Sequence, residues 1–88
     1  MKYFAAFLKM KDQEKNTTFR QRHLDFLTKN EKAGNIFARG KFMNGEGGLV
    51  IYIAASRDEA VKLAESDPYV ISGARTLEVF EWDMKVTV

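Results

Sequence analysis

The chain predicts an α+β domain with a four-stranded antiparallel sheet and two helices on one face. Three observations predict it. Short apolar segments of strand character alternate with two segments of helical period, in the order βαββαβ. The first and third strands carry no charge in their interiors, as central strands should. The second and fourth do carry charges, as edge strands should, because charges there block edge-to-edge pairing. Two right-handed β-α-β crossovers around a central hairpin satisfy all three, giving the ferredoxin-like sheet with spatial order 4-1-3-2.

The elements follow in order. KYFAAFLK, residues 2–9, is the first strand. Tyr3, Ala5 and Phe7 point one way and Phe4, Ala6 and Leu8 the other, so both faces want burial. The polar stretch KDQEKN reads as a loop, and Thr17 or Thr18 caps a helix running to about Ala33. At 100° per residue, Phe19, His23, Phe26, Leu27 and Asn30 share its apolar side. Gly34 suits the left-handed residue that ends such a helix.

IFARGKF, residues 36–42, is the second strand, and Asn44-Gly45 marks the hairpin to the third, LVIYIA, residues 49–54. Ser56 and Glu59 form a capping box at the start of the second helix. That helix buries Ala60, Val61, Leu63 and Ala64, and stops at Asp67 because Pro68 disfavours helical geometry before it. TLEVFEWDM, residues 76–84, is the last strand.

At 88 residues the chain is one small domain, covering 1–88. A net charge of +2, from 14 basic and 12 acidic residues, is spread along the chain, so no block marks a nucleic-acid or membrane partner. The third strand lacks the aromatic pattern of an RNA-binding sheet. The absence of cysteine removes disulfides, thiolate nucleophiles and thiolate metal sites. With one histidine besides, no metal site is expected. The apolar run after Lys2 stops at Lys9, too short for a signal peptide, and the expected location is cytoplasmic.

No cofactor is expected. The glycine-rich NGEGG opens a strand rather than a helix, which makes it a hairpin and not a phosphate loop. Both helices cover one sheet face, yet the central strands are apolar on both faces. The bare face predicts a homodimer with its sheets packed together.

Topology brings three segments to one end of the sheet: the first helix near its start with His23, the hairpin, and Ser66-Asp67-Pro68-Tyr69. A carboxylate beside an imidazole fixes its tautomer and raises its basicity, a pairing that recurs in acid–base catalysis. His23 and Asp67 are therefore the candidate catalytic pair. Asp67 stands at the unfavourable end of a helix dipole, which a turn role would also explain. From position, Phe19, Phe42 and Tyr69 are candidate pocket residues, and Arg20 or Lys41 candidate holders of an anionic group.

Arg20-x-x-His23-Leu24-x-Phe26-Leu27, then Gly34 and Gly40, then Ser66-Asp67-Pro68-Tyr69-Val70 with Gly73, resemble the YciI-like (YCII-related) family of small bacterial proteins. The resemblance spans nearly the whole chain. It implies a dimeric α+β barrel and an active site on a histidine and an aspartate, here His23 and Asp67. It also implies small-molecule chemistry, one member type eliminating chloride from a chlorinated aromatic. Where the family often has Gly-Gly-Pro near the end of strand 2, this chain has Arg39-Gly40-Lys41-Phe42. The expectation is an isomerase, lyase or dehydrochlorinase acting on an unknown small ring or carbonyl compound. The alternative is a noncatalytic ligand-binding or regulatory module on the same dimer.

Overall fold

A computed structural model describes residues 1–88. The elements are β1 (Lys2–Met10), α1 (Gln13–Lys32), β2 (Ile36–Lys41), β3 (Gly47–Ala54), α2 (Arg57–Glu65), α3 (Pro68–Ile71) and β4 (Arg75–Trp82). The sheet order is β2-β3-β1-β4, and every neighbouring pair is antiparallel. This is the ferredoxin-like order, with the charged strands at the two edges.

The core lies between the sheet and the helices. Phe4, Ala6 and Leu8 of β1 and Val50, Tyr52 and Ala54 of β3 are buried there against Leu27, Ala60 and Ala64. The alternate residues lie on the opposite, helix-free face. In antiparallel ladders, directly opposed residues share a face. The registers Tyr3↔Trp82, Ala5↔Phe80, Tyr3↔Ile53 and Ala5↔Ile51 therefore put all these side chains on the helix-free face. An irregularity between Ile36 and Ala38 adds Phe37, whose ring meets Tyr3 edge-on at 5.3 Å. No helix is long and apolar enough to cross a membrane.

Four local expectations are corrected. Helix α1 starts at Gln13, and its N-cap is Asp12, whose side chain accepts the Lys15 N–H, not Thr17 or Thr18. Those threonines instead donate back to the carbonyls of Gln13 and Glu14 from inside the helix. The first turn is all polar, so apolar period could not reveal it, although Gln, Glu and Lys are good helix formers. The earlier start places His23 near mid-helix.

In the capping box, Ser56 accepts the Glu59 N–H, but Glu59 reaches back to the N–H of Ala55, one residue before the cap. Helix α2 ends at Glu65, short of Asp67. Asp67 instead caps the N-terminus of α3, with Pro68 in its first turn, while its own N–H still bonds back to the carbonyl of Ala64 in α2. Strand β4 ends at Trp82 rather than Met84. Gly34, at φ +79°, takes the left-handed conformation that turns the chain out of α1.

Candidate functional site

The site forms where β1 and β2 finish and β3 and β4 begin. A cavity of about 470 Å³ opens there between α1, the β2–β3 hairpin and the start of β4. Its floor is β3, and glycines shape it. A side chain at Gly47 would run into the backbone of Leu8, and one at Gly48 into the carbonyl of Gly40. Both residues line the cavity, so β2, β3 and β1 approach closely because these positions carry no Cβ.

His23 and Asp67 come from different crossovers and meet in the core. The Nδ1–H of His23 donates to Asp67, at 2.8 Å from Oδ1 and 2.9 Å from Oδ2. Asp67 is fully buried. Its Oδ1 also accepts the backbone N–H of Tyr69 at 2.9 Å, the capping bond of α3. The carboxylate is acceptor-only when ionised, so the pairing assigns the proton to Nδ1 and leaves the Nε2 lone pair available in the neutral ring. Nε2 makes no hydrogen bond within the protein, and His23 lines the cavity while Asp67 sits behind it. Asp25, on the other side of α1, accepts from Gln21 and takes no part.

Tyr69 builds the next layer. Its ring stacks on the imidazole, and the Arg75 guanidinium lies 4.4 Å from its centroid on the ring face. Arg75 Nε donates to Asn16 Oδ1 at 2.9 Å. Burial pushes the Tyr69 hydroxyl up from the ordinary tyrosine value, while the charges of Arg75 and Arg20 pull it back. Burial pushes the Arg75 guanidinium down. Below this layer Tyr52 is buried, and its hydroxyl has no hydrogen-bond partner within the protein.

Arg20, Lys41, Phe42 and Tyr69 all line the cavity. Phe19 does not. It is half-buried on the outside of α1 with the Arg22 guanidinium over its ring. In the segment that replaces Gly-Gly-Pro, Arg39, Gly40, Lys41 and Phe42 form one wall, with Arg39 bound to Glu31 at 2.7 Å. Among the lining residues that sequence reasoning missed are Asn16 and Arg75. Asn16 is in helical phase with Arg20, His23 and Leu27, and an earlier helix start would have found it. Arg75 is the first residue of β4, paired with Met10 at the cavity end, a position only the register reveals. No group of three His, Cys, Asp or Glu side chains comes together as a metal site would require.

The fold and the buried pair define an α+β protein of the ferredoxin-like class with a His–Asp site at one end of its sheet. The chain belongs to the YCII-related domain family, whose model matches residues 1–83. Among solved structures it is similar to 5-chloro-2-hydroxyhydroquinone dehydrochlorinase from Burkholderia phenoliruptrix, in complex with 2,5-dihydroxybenzoquinone. The two share 20% identity over 94% of this chain and 95% of that one, with a TM-score of 0.81. At that identity the likeness is one of fold. Comparison with curated proteins returned no match.

Proposed function

We propose that the protein is a small-molecule enzyme in which His23 moves a proton through Nε2 while Asp67 holds the ring. The observation that carries this reading is the division of the imidazole. One nitrogen is tied to a buried carboxylate, and the other faces a cavity without a protein partner. In such a pair the carboxylate stabilises the imidazolium that forms when Nε2 takes a proton, and the ring returns the proton later in the cycle. Abstraction beside a carbonyl, followed by return at another carbon or loss of a leaving group, makes an isomerase, a lyase or a dehydrochlorinase. The substrate class is a small ring or carbonyl compound, as for the dehydrochlorinase of similar fold. Arg20, Phe42 and Tyr69 serve as substrate-binding residues.

The same reading makes the protein a homodimer. Phe80 is 53% exposed, Trp82 46% and Phe37 45%, and all three lie on the helix-free face beside Tyr3. A contiguous aromatic face of this kind is what a second copy of the sheet would cover.

The test is turnover of chlorinated hydroquinones and deuterium exchange at carbons beside carbonyls in a panel of ring compounds. His23→Gln should abolish turnover, and Asp67→Asn should lower it by about 10²–10⁴. Undiminished turnover in His23→Gln would overturn the reading.

A further inference from the structure

We propose that the ligand of this site is a small organic anion with an apolar body, and that Arg75 binds its charged group. The inference rests on reading the cavity as the substrate site, and it names the substrate class. The cavity is lined by four cations, Arg20, Arg39, Lys41 and Arg75, and by no carboxylate. Only Arg39 has an acidic partner, Glu31. Arg20, Lys41 and Arg75 have none within 4.0 Å.

Arg75 is the most telling of the three. It is half-buried, yet its partners are neutral: the Asn16 side-chain oxygen and the Tyr69 ring. A guanidinium carries five N–H donors, and only the one on Nε is used here. Its terminal nitrogens are free to take a carboxylate or an acidic enol oxygen in the forked geometry that arginine favours. Burial already weighs against its charge, so an arriving anion compensates a cation that the protein leaves uncompensated. Arg20 lies one helical turn from Asn16, the residue that holds Arg75, and lines the same cavity.

The remaining walls argue for an organic rather than a bare inorganic anion. Leu8, Leu24, Leu27, Val50 and Phe42 line the cavity, and they offer nothing to phosphate or sulfate. A volume of about 470 Å³ suits one substituted ring. With the charged group on Arg75, the body of the ligand reaches toward Nε2 of His23. The cation thus selects which atom meets the base.

Titrations of the whole protein followed by ¹H–¹⁵N NMR test this with benzoate, its neutral isostere benzamide, and inorganic phosphate. Benzoate should shift the Arg75 Nε–Hε and Tyr69 amide signals saturably. It should bind at least tenfold more tightly than benzamide or phosphate, and more weakly as salt is raised. Arg75→Gln should weaken benzoate at least tenfold, and Arg75→Lys should recover part of the loss. Equal binding of benzoate and benzamide overturns the proposal with no variant needed. So does phosphate binding as tightly as benzoate, or Arg75→Gln binding benzoate like the wild type. Benzoate binding without turnover of any ring compound would sink the acid–base reading and leave the anion site standing.

Discussion

The imidazole of His23 lies flat on the phenol ring of Tyr69, with centroids 3.9 Å apart and planes 15° from parallel. The same carboxylate holds both residues, since Asp67 accepts from the His23 ring and from the Tyr69 backbone. Nε2 is thus aimed by an in-plane hydrogen bond and by a stacked face. Flipping the ring over would break the hydrogen bond, and tilting it would break the stack.

The stack and the tautomer are both visible by NMR. A proton above an aromatic ring is shielded, so the His23 ring protons should resonate upfield in the wild type and move downfield in Tyr69→Leu. Long-range ¹H–¹⁵N spectra of the neutral ring should show the proton on Nδ1. Asp67→Asn should shift the population toward the Nε2–H form, because an amide can offer Nδ1 a donor where the carboxylate cannot. A wild-type ring with its proton on Nε2 would contradict the arrangement.

Tyr52 gives a pH dependence with a definite sign. Burial raises its hydroxyl well above the ordinary value of about 10, and the charge of Asp67 adds to the effect. A group whose folded value is raised contributes stability that is complete below the unfolded value. That stability is lost as pH climbs through the folded one. Urea unfolding should therefore show stability falling from about pH 10 upward, and Tyr52→Phe should flatten that fall. At neutral pH the same substitution should raise stability by about 1 kcal/mol, because it deletes a buried hydroxyl that has no protein partner. A loss of more than about 1 kcal/mol would mean the hydroxyl is satisfied after all.

The two faces of the sheet separate folding from assembly. Val50 is buried against the helices, so Val50→Asp should leave no folded protein. Phe80 stands on the helix-free face and is already half-exposed in one chain. Phe80→Glu should keep the far-ultraviolet dichroism of the wild type and sediment near the 10.1 kDa of a single chain. The wild type should sediment at twice that mass at micromolar concentration. A monomeric wild type would remove the face-to-face arrangement.

The strand order was legible because charge and burial agree. Arg39 and Lys41 mark one edge and Glu78 the other, while β1 and β3 stay apolar between them. The start of α1 was not legible, since its first turn presents only polar side chains. With it went Asn16. Topology put Asp67 and His23 at one end of the sheet, but their contact and the capping role of Asp67 needed coordinates. A residue before proline reads equally as the end of one helix or the cap of the next, and hydrogen bonds decide between them. Arg75 was illegible for another reason. It does not match a periodic pattern, and its place beside Tyr69 comes from the β1–β4 register and the turn after α3.

His23 and Asp67 are 44 residues apart in the chain, one in each β-α-β crossover. Neither half of the molecule holds the site, and closing that separation costs loop entropy that only the finished core repays. Long-range pairs of this kind tend to form late, after sheet and helices have met. The His–Asp bond therefore serves as a sensor of the whole fold. A lesion anywhere that loosens the union of the two crossovers should break the His–Asp bond before it melts either helix, and under the proposed function activity should fade ahead of helical signal on the way to unfolding.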